Sequence, residues 1–116
     1  MRISDVARSV AANAKSTNIL ADKVGRVVTR PTLVKLYSSS SAVGILMSIL
    51  VSSQAGIETV MDDQEIPGTN RFPLPLEDFV TQFALTGPQD EIHIFLRNRT
   101  AGALTATTVL DLDPVA

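Results

Sequence analysis

From Thr32 onward, apolar and polar positions alternate with a period of two, the pattern of half-buried strands. Leu33, Lys35 and Tyr37 stand against Val34 and Leu36. Ile92, Ile94 and Leu96 stand against His93, Phe95 and Arg97. Leu104, Ala106, Thr108, Leu110 and Leu112 stand against Thr105, Thr107, Val109, Asp111 and Asp113. Between these runs, Ala42 to Val51 is apolar on both faces, broken by Ser48, which predicts a strand covered on both sides. Ile57 to Met61 reads as a short strand and Asp62 to Glu65 as a charged turn. Leu76 to Leu85 fits both periods; a strand is favoured, entered through a helical turn at Leu76-Glu77-Asp78. Pro67-Gly68-Thr69-Asn70 and Gly87-Pro88-Gln89-Asp90 are turn sequences, and Pro73 and Pro75 mark an extended edge or loop. About seven strands with frequent turns predict an antiparallel β-sandwich over residues 31–116, of jelly-roll or Greek-key type.

The first thirty residues follow another rule. Ile3, Val6, Ala7, Val10, Ala11 and Ala14 recur at helical spacing, with Ser4 placed to cap and Asp5 in the first turn. Lys15-Ser16-Thr17-Asn18 would end that helix. A second helical stretch is expected over Ile19 to Val24, with Gly25 and Pro31 punctuating the change of pattern. The expectation is a helical arm, residues 1–30, attached to the β-domain. Its apolar face is narrow, and a helix of about twelve residues is marginal alone in water. It therefore needs something to pack on, with Ile3, Val6 and Val10 as its anchors.

Charge divides the chain at the same place. Residues 1–35 hold seven of the ten basic groups and two of the twelve acids, a net +5; the remainder carries −7. Arg2, Arg8, Lys15, Lys23, Arg26 and Arg30 are the arm's candidate charged contacts. Complementary halves favour docking on the acidic body of a neighbouring subunit. Nucleic acid is the runner-up, through phosphate contacts from residues 1–35; with no aromatic among the bases, stacking is not expected. A solvated helix folded back on its own domain is the plain alternative. Membrane contact is not expected, because the helical face has no Trp or Phe.

Candidate chemistry is sparse. The chain has no cysteine, which excludes disulfides and thiolate metal sites. The start of the chain does not read as a secretory signal, and the longest apolar run is about half of the ~20 residues a membrane helix needs. The single histidine, His93, falls mid-strand and reads as a sheet-face residue. No Gly-x-Ser-x-Gly elbow or phosphate loop is present. Asp62, Asp63 and Glu65, and likewise Asp111 and Asp113, read as solvated charge. Asn98-Arg99-Thr100 matches a glycosylation sequon but reads as a hairpin loop held by local hydrogen bonds. No catalytic residue, metal site or cofactor is expected, and the protein is not expected to be an enzyme.

A small β-sandwich with a basic N-terminal arm resembles the single jelly-roll or sandwich subunits that form capsids, vertices or capsid decorations in viruses, bacteriophages included. Leu96-Arg97-Asn98-Arg99-Thr100-Ala101-Gly102-Ala103-Leu104 is similar to the final hairpins of such proteins. The resemblance implies a structural assembly protein whose partners are its own copies and other capsid proteins. It also implies a place in the virion after assembly in the host cytoplasm, or otherwise a soluble cytoplasmic protein. A sugar-binding or adhesive sandwich module is the alternative from another class.

Overall fold

Every strand with a clean two-residue period forms where its pattern places it, and the N-terminal segment joins them. The computed structural model describes residues 2–20, 31–53, 56–85 and 90–114. Seven strands follow in order: β1 (Arg2–Val10), β2 (Thr32–Ser40), β3 (Ile45–Ser53), β4 (Gly56–Glu65), β5 (Phe79–Leu85), β6 (Glu91–Asn98) and β7 (Leu104–Pro114). All pair antiparallel, in a four-stranded sheet β1-β7-β2-β5 and a three-stranded sheet β4-β3-β6. The architecture is mainly β and sandwich-like. One apolar cluster draws Val34, Leu36, Leu110 and Leu112 from the first sheet and Ile45, Met47, Ile49, Ile94 and Leu96 from the second. Burying a side chain of this size contributes about 1.5–3 kcal/mol. β3 is the middle strand of its sheet. Both of its faces are covered, with Leu46 and Ser48 buried as well as Met47 and Ile49.

The expected N-terminal helix does not form; among the described residues there is no helix. Arg2–Val10 is instead the edge strand β1, paired with β7 from Arg2↔Asp111 to Val10↔Leu104. The helical spacing of Ile3, Val6 and Val10 was also compatible with a strand carrying one extra residue. Val6 and Ala7 together oppose Thr107, Ala7 takes a φ of 52°, and its N–H donates to Thr107 Oγ1 at 3.1 Å. This bulge shifts the alternation, so that Ile3, Asp5 and Val10 turn inward while Val6 faces solvent. β-Branched Ile and Val suit a pleated surface, and the edge of β7 supplies ladder bonds that an isolated helix could not match.

The expected helix end at Lys15–Asn18 is also something else. Ala14 to Ile19 runs along the outer edge of β6. Asn98 N–H donates to Ala14 O, Ser16 N–H to Leu96 O and Ile19 N–H to Ile94 O, at 2.9, 2.7 and 2.9 Å. In between, Ser16 Oγ and Asn18 Oδ1 accept from Leu96 N–H and Ile94 N–H at 2.9 and 3.0 Å. Two side chains thus stand in for main-chain carbonyls, and the β6 edge is covered. The second expected helix is overturned at Ile19 and Leu20, which are buried against the core without helical structure; its remainder, 21–24, lies outside the described residues, as does most of the Gly87–Asp90 turn.

Asp62–Glu65 is not a turn but the end of β4. Asp62 and Asp63 together oppose Ser48, Asp63 has a φ of 47°, and Ser48 Oγ accepts its N–H at 3.0 Å. The same device therefore occurs twice: an edge-strand bulge whose N–H is taken by a hydroxyl on the neighbouring strand.

Candidate functional site

The chain leaves β4 at Glu65 and crosses from one sheet to the other before β5 begins at Phe79. Composition forces this stretch out of any ladder. Pro67, Pro73 and Pro75 cannot donate, and Gly68 comes so close to the backbone of Ala42 and Val43 that an added Cβ would lie 2.6 Å from Ala42 C. The crossing is held at many points. Ile66 N–H donates to Ile45 O, Ser40 N–H to Pro67 O and Asn70 N–H to Ser40 O. The Ser39 hydroxyl accepts from Thr69 N–H. Leu74 to Asp78 closes one helical turn, with Asp78 N–H on Leu74 O at 2.9 Å and Pro75 at its start, as the sequence predicted for Leu76–Asp78.

Asp78 fastens the loop. Its fully buried carboxylate accepts from Leu74 N–H at 2.8 Å, Thr69 Oγ1 at 3.2 Å and Arg71 Nε at 3.3 Å. Burial works to push this carboxyl up. The Leu74 N–H, the Arg71 guanidinium and the Thr69 hydroxyl outweigh it and hold the group below the ordinary aspartate range.

A loop fixed this firmly nevertheless turns its large apolar side chains outward. Phe72 is 53% exposed, Leu74 42%, Leu76 92% and Phe79 46%. Beside them lies a groove of about 380 Å³ lined by Val43, Met61, Gln64, Glu65, Ile66, Pro67, Phe79 and Val80. The strands that flank it, β4 and β5, are each the last of their sheet. Arg71 with Glu77, and Arg99 with Glu65, supply ion pairs nearby. Preformed apolar anchors beside a groove, with charge at the margin, are suited to contact with another surface.

The described residues singled out in the sequence do not gather there. Ile3 and Val10 are in the core, and Val6 is exposed on the β1 edge. Arg2 meets Asp111 at 2.9 Å and lies over the Tyr37 ring. That contact raises the Arg2 guanidinium further above its ordinary value, while burial, aided by Asp111, pushes the Tyr37 phenol up. Arg8 grips the buried Asp5 through Nε and Nη2 at 3.1 and 2.8 Å and reaches Ile19 O. Lys15 sits 5.1 Å above the Phe95 ring. Lys23, Arg26 and Arg30 lie outside the described residues.

His93 bridges Asn18 and Ser52 through its two ring nitrogens, each at 3.1 Å. The sequon asparagine, Asn98, is fully buried. Its Nδ2 donates to Val10 O and Gly102 O at 3.0 and 2.8 Å, and its Oδ1 accepts from Thr100. Among the described residues no group of three or more His, Asp or Glu could hold a metal ion. The Phe72–Leu76 surface was missed in the sequence, although its signal was there: large apolar residues alternating with prolines cannot belong to a strand ladder. No protein-family model and no curated protein matches the chain.

Proposed function

We propose that the protein is a structural subunit, a jelly-roll sandwich that builds a capsid or a capsid-associated layer through repeated contacts between copies. The observation that carries the reading is the pinned loop with Phe72, Leu74 and Leu76 facing solvent. Exposed apolar side chains on a mobile tail need no explanation, but a buried carboxylate and a glycine-tight crossing here hold them in one place. Such preorganisation favours association, because little ordering remains to be done on contact.

Strand order supports the jelly-roll form. Counting Ala14–Ile19 as a strand between β1 and β2 gives eight. Their antiparallel pairs are then first with eighth (β1–β7), second with seventh (the segment with β6), third with sixth (β2–β5) and fourth with fifth (β3–β4). That nesting is a long hairpin ribbon rolled on itself. Fold alone does not assign function, since lectin domains share it. A ligand-binding reading would draw on the hydroxyl-lined hollow at Ser39, Ser40, Ser41, Thr105 and Thr107, but at about 140 Å³ it is small beside ordinary pockets of roughly 300–1,000 Å³. Nucleic-acid contact through residues 1–35 draws less support, because Arg2 and Arg8 meet carboxylates of their own chain.

Light scattering over a concentration series, with electron microscopy of the concentrated sample, tests the proposal. Concentration-dependent growth into regular particles or layers is expected. A strict monomer at every concentration would sink it.

A further inference from the structure

The groove beside the loop is not filled by the loop's own tip. Leu76 stands 92% exposed, while the groove, about 380 Å³ in volume, is walled by Val43, Met61, Ile66, Phe79 and Val80. A projecting apolar side chain thus stands three residues before Phe79, which lines a hollow with apolar walls and a polar side at Gln64 and Glu65. This combination is self-complementary: a two-fold axis between them presents each copy's projection to the other's hollow.

We propose that this surface is a two-fold contact with a second copy of the chain, in which Leu76 and Phe72 of each copy enter the groove of the other. The inference rests on the assembly reading above and names its first contact. Size argues for it. Phe72, Leu74, Leu76, Phe79 and Val43 are between 42% and 92% exposed. With roughly 150–250 Å² for a large side chain laid bare, they offer about 500 Å² per copy. A symmetric pair would cover about 1,000 Å² before any polar rim is counted, the level at which specific interfaces begin. The margin also suits a symmetric contact. Glu77 and Arg71, paired within one chain through Arg71 Nη2 and Glu77 Oε2 at 2.7 Å, can exchange partners across the axis without leaving a charge alone. A head-to-tail use of the surface would need a second apolar patch elsewhere; among the described residues, Val6 on β1, 63% exposed, and Ile57 on β4, 73% exposed, are the large apolar side chains exposed outside this surface.

Sedimentation equilibrium of wild type, Leu76→Asp and the control Val6→Asp, over roughly 10–500 µM, decides it. Wild type and V6D should reach at least twice the monomer mass, and L76D should not form the two-fold pair and should stay at the monomer mass at the low end of the range. Circular dichroism should show L76D folded, since its side chain touches little. If L76D associates like wild type, the two-fold contact is refuted while assembly stands. If wild type never exceeds the monomer mass, both fall. The chain has no cysteine, so mixing Leu76→Cys with Gln64→Cys protein under oxidation gives a second reading. A covalent heterodimer is expected, and a dimer that forms no such cross-link overturns the proposed geometry.

Discussion

Replacing Asp78 with Asn should loosen the loop that carries the apolar surface without altering any residue of that surface. The carboxylate is fully buried and accepts from Leu74 N–H, Thr69 Oγ1 and Arg71 Nε. Hydrogen bonds to a charged group contribute about 1.5–3 kcal/mol each. Arg71 counts for less: it is 42% exposed and shared with Glu77, so screening brings it toward the ~0–1 kcal/mol of surface pairs. The Leu74 and Thr69 bonds, offset by the cost of burying a charge, leave about 2–4 kcal/mol for the substitution. With a urea slope of about 1–3 kcal/mol/M, the midpoint should fall by about 0.7–4 M.

The chain has no Trp, so far-ultraviolet circular dichroism is the assay. The effect should depend on pH. Asp78 titrates lower in the folded chain than in the unfolded one. Its stabilisation is therefore complete above the unfolded value of about 3.9 and is lost as pH falls through the depressed folded value. The gap between wild type and D78N should be widest near pH 7 and narrow as pH falls below about 4. A gap below about 1 kcal/mol at pH 7, or one unchanged at pH 2, would refute the role given to this carboxylate.

Asn98→Ala removes an amide that joins the ends of β1 and β6 to the Gly102 carbonyl, leaving a buried carbonyl without its donor. A loss of about 2–4 kcal/mol is expected, seen as a melting temperature lower by roughly 8–15 °C, and an unchanged melt would contradict the assignment. Gly68→Ala puts a Cβ against the Ala42–Val43 backbone and should cost about 1–3 kcal/mol, with faster amide exchange at Asn70 and Asp78 as the local sign. Removing residues 1–10 should not give a body that merely lacks an appendage. It strips the outer neighbour of β7 together with Ile3 and Val10 from the core. The truncated chain should unfold or aggregate, and a fully native dichroism spectrum would count against β1 as an integral strand.

The two-residue period of β2, β6 and β7 was legible because each alternates without interruption, and the inward sets Ile92, Ile94, Leu96 and Leu110, Leu112 are the buried ones; β3 was legible instead as a run apolar on both faces. β1 was not, for a physical reason. A bulge at Val6–Ala7 moves the inward positions from even to odd spacing, and the result imitates a helix. Only the long-range partner, β7, resolves it. Ser16 and Asn18 looked like helix breakers because the bonds they make are to β6, almost eighty residues away in sequence. The candidate surface was half legible. Pro73 and Pro75 announced a loop, but the exposure of Phe72 and Leu76 depends on Asp78, Gly68 and Ser39 meeting in space.

The edge bulges bear on how large anything built from this chain can grow. An unkinked outer strand is an invitation to add further strands without end. Here β1 is kinked at Ala7 and β4 at Asp63, each non-glycine residue held at positive φ, at a cost of about 1–2 kcal/mol. β6 is already occupied by Ala14–Ile19, and β5 is only seven residues long. Runaway growth by main-chain templating, as in a fibril, is obstructed at β1, β4 and β6. Association through the proposed two-fold surface would then rest on side chains rather than on a shared ladder, and a two-fold contact closes on itself.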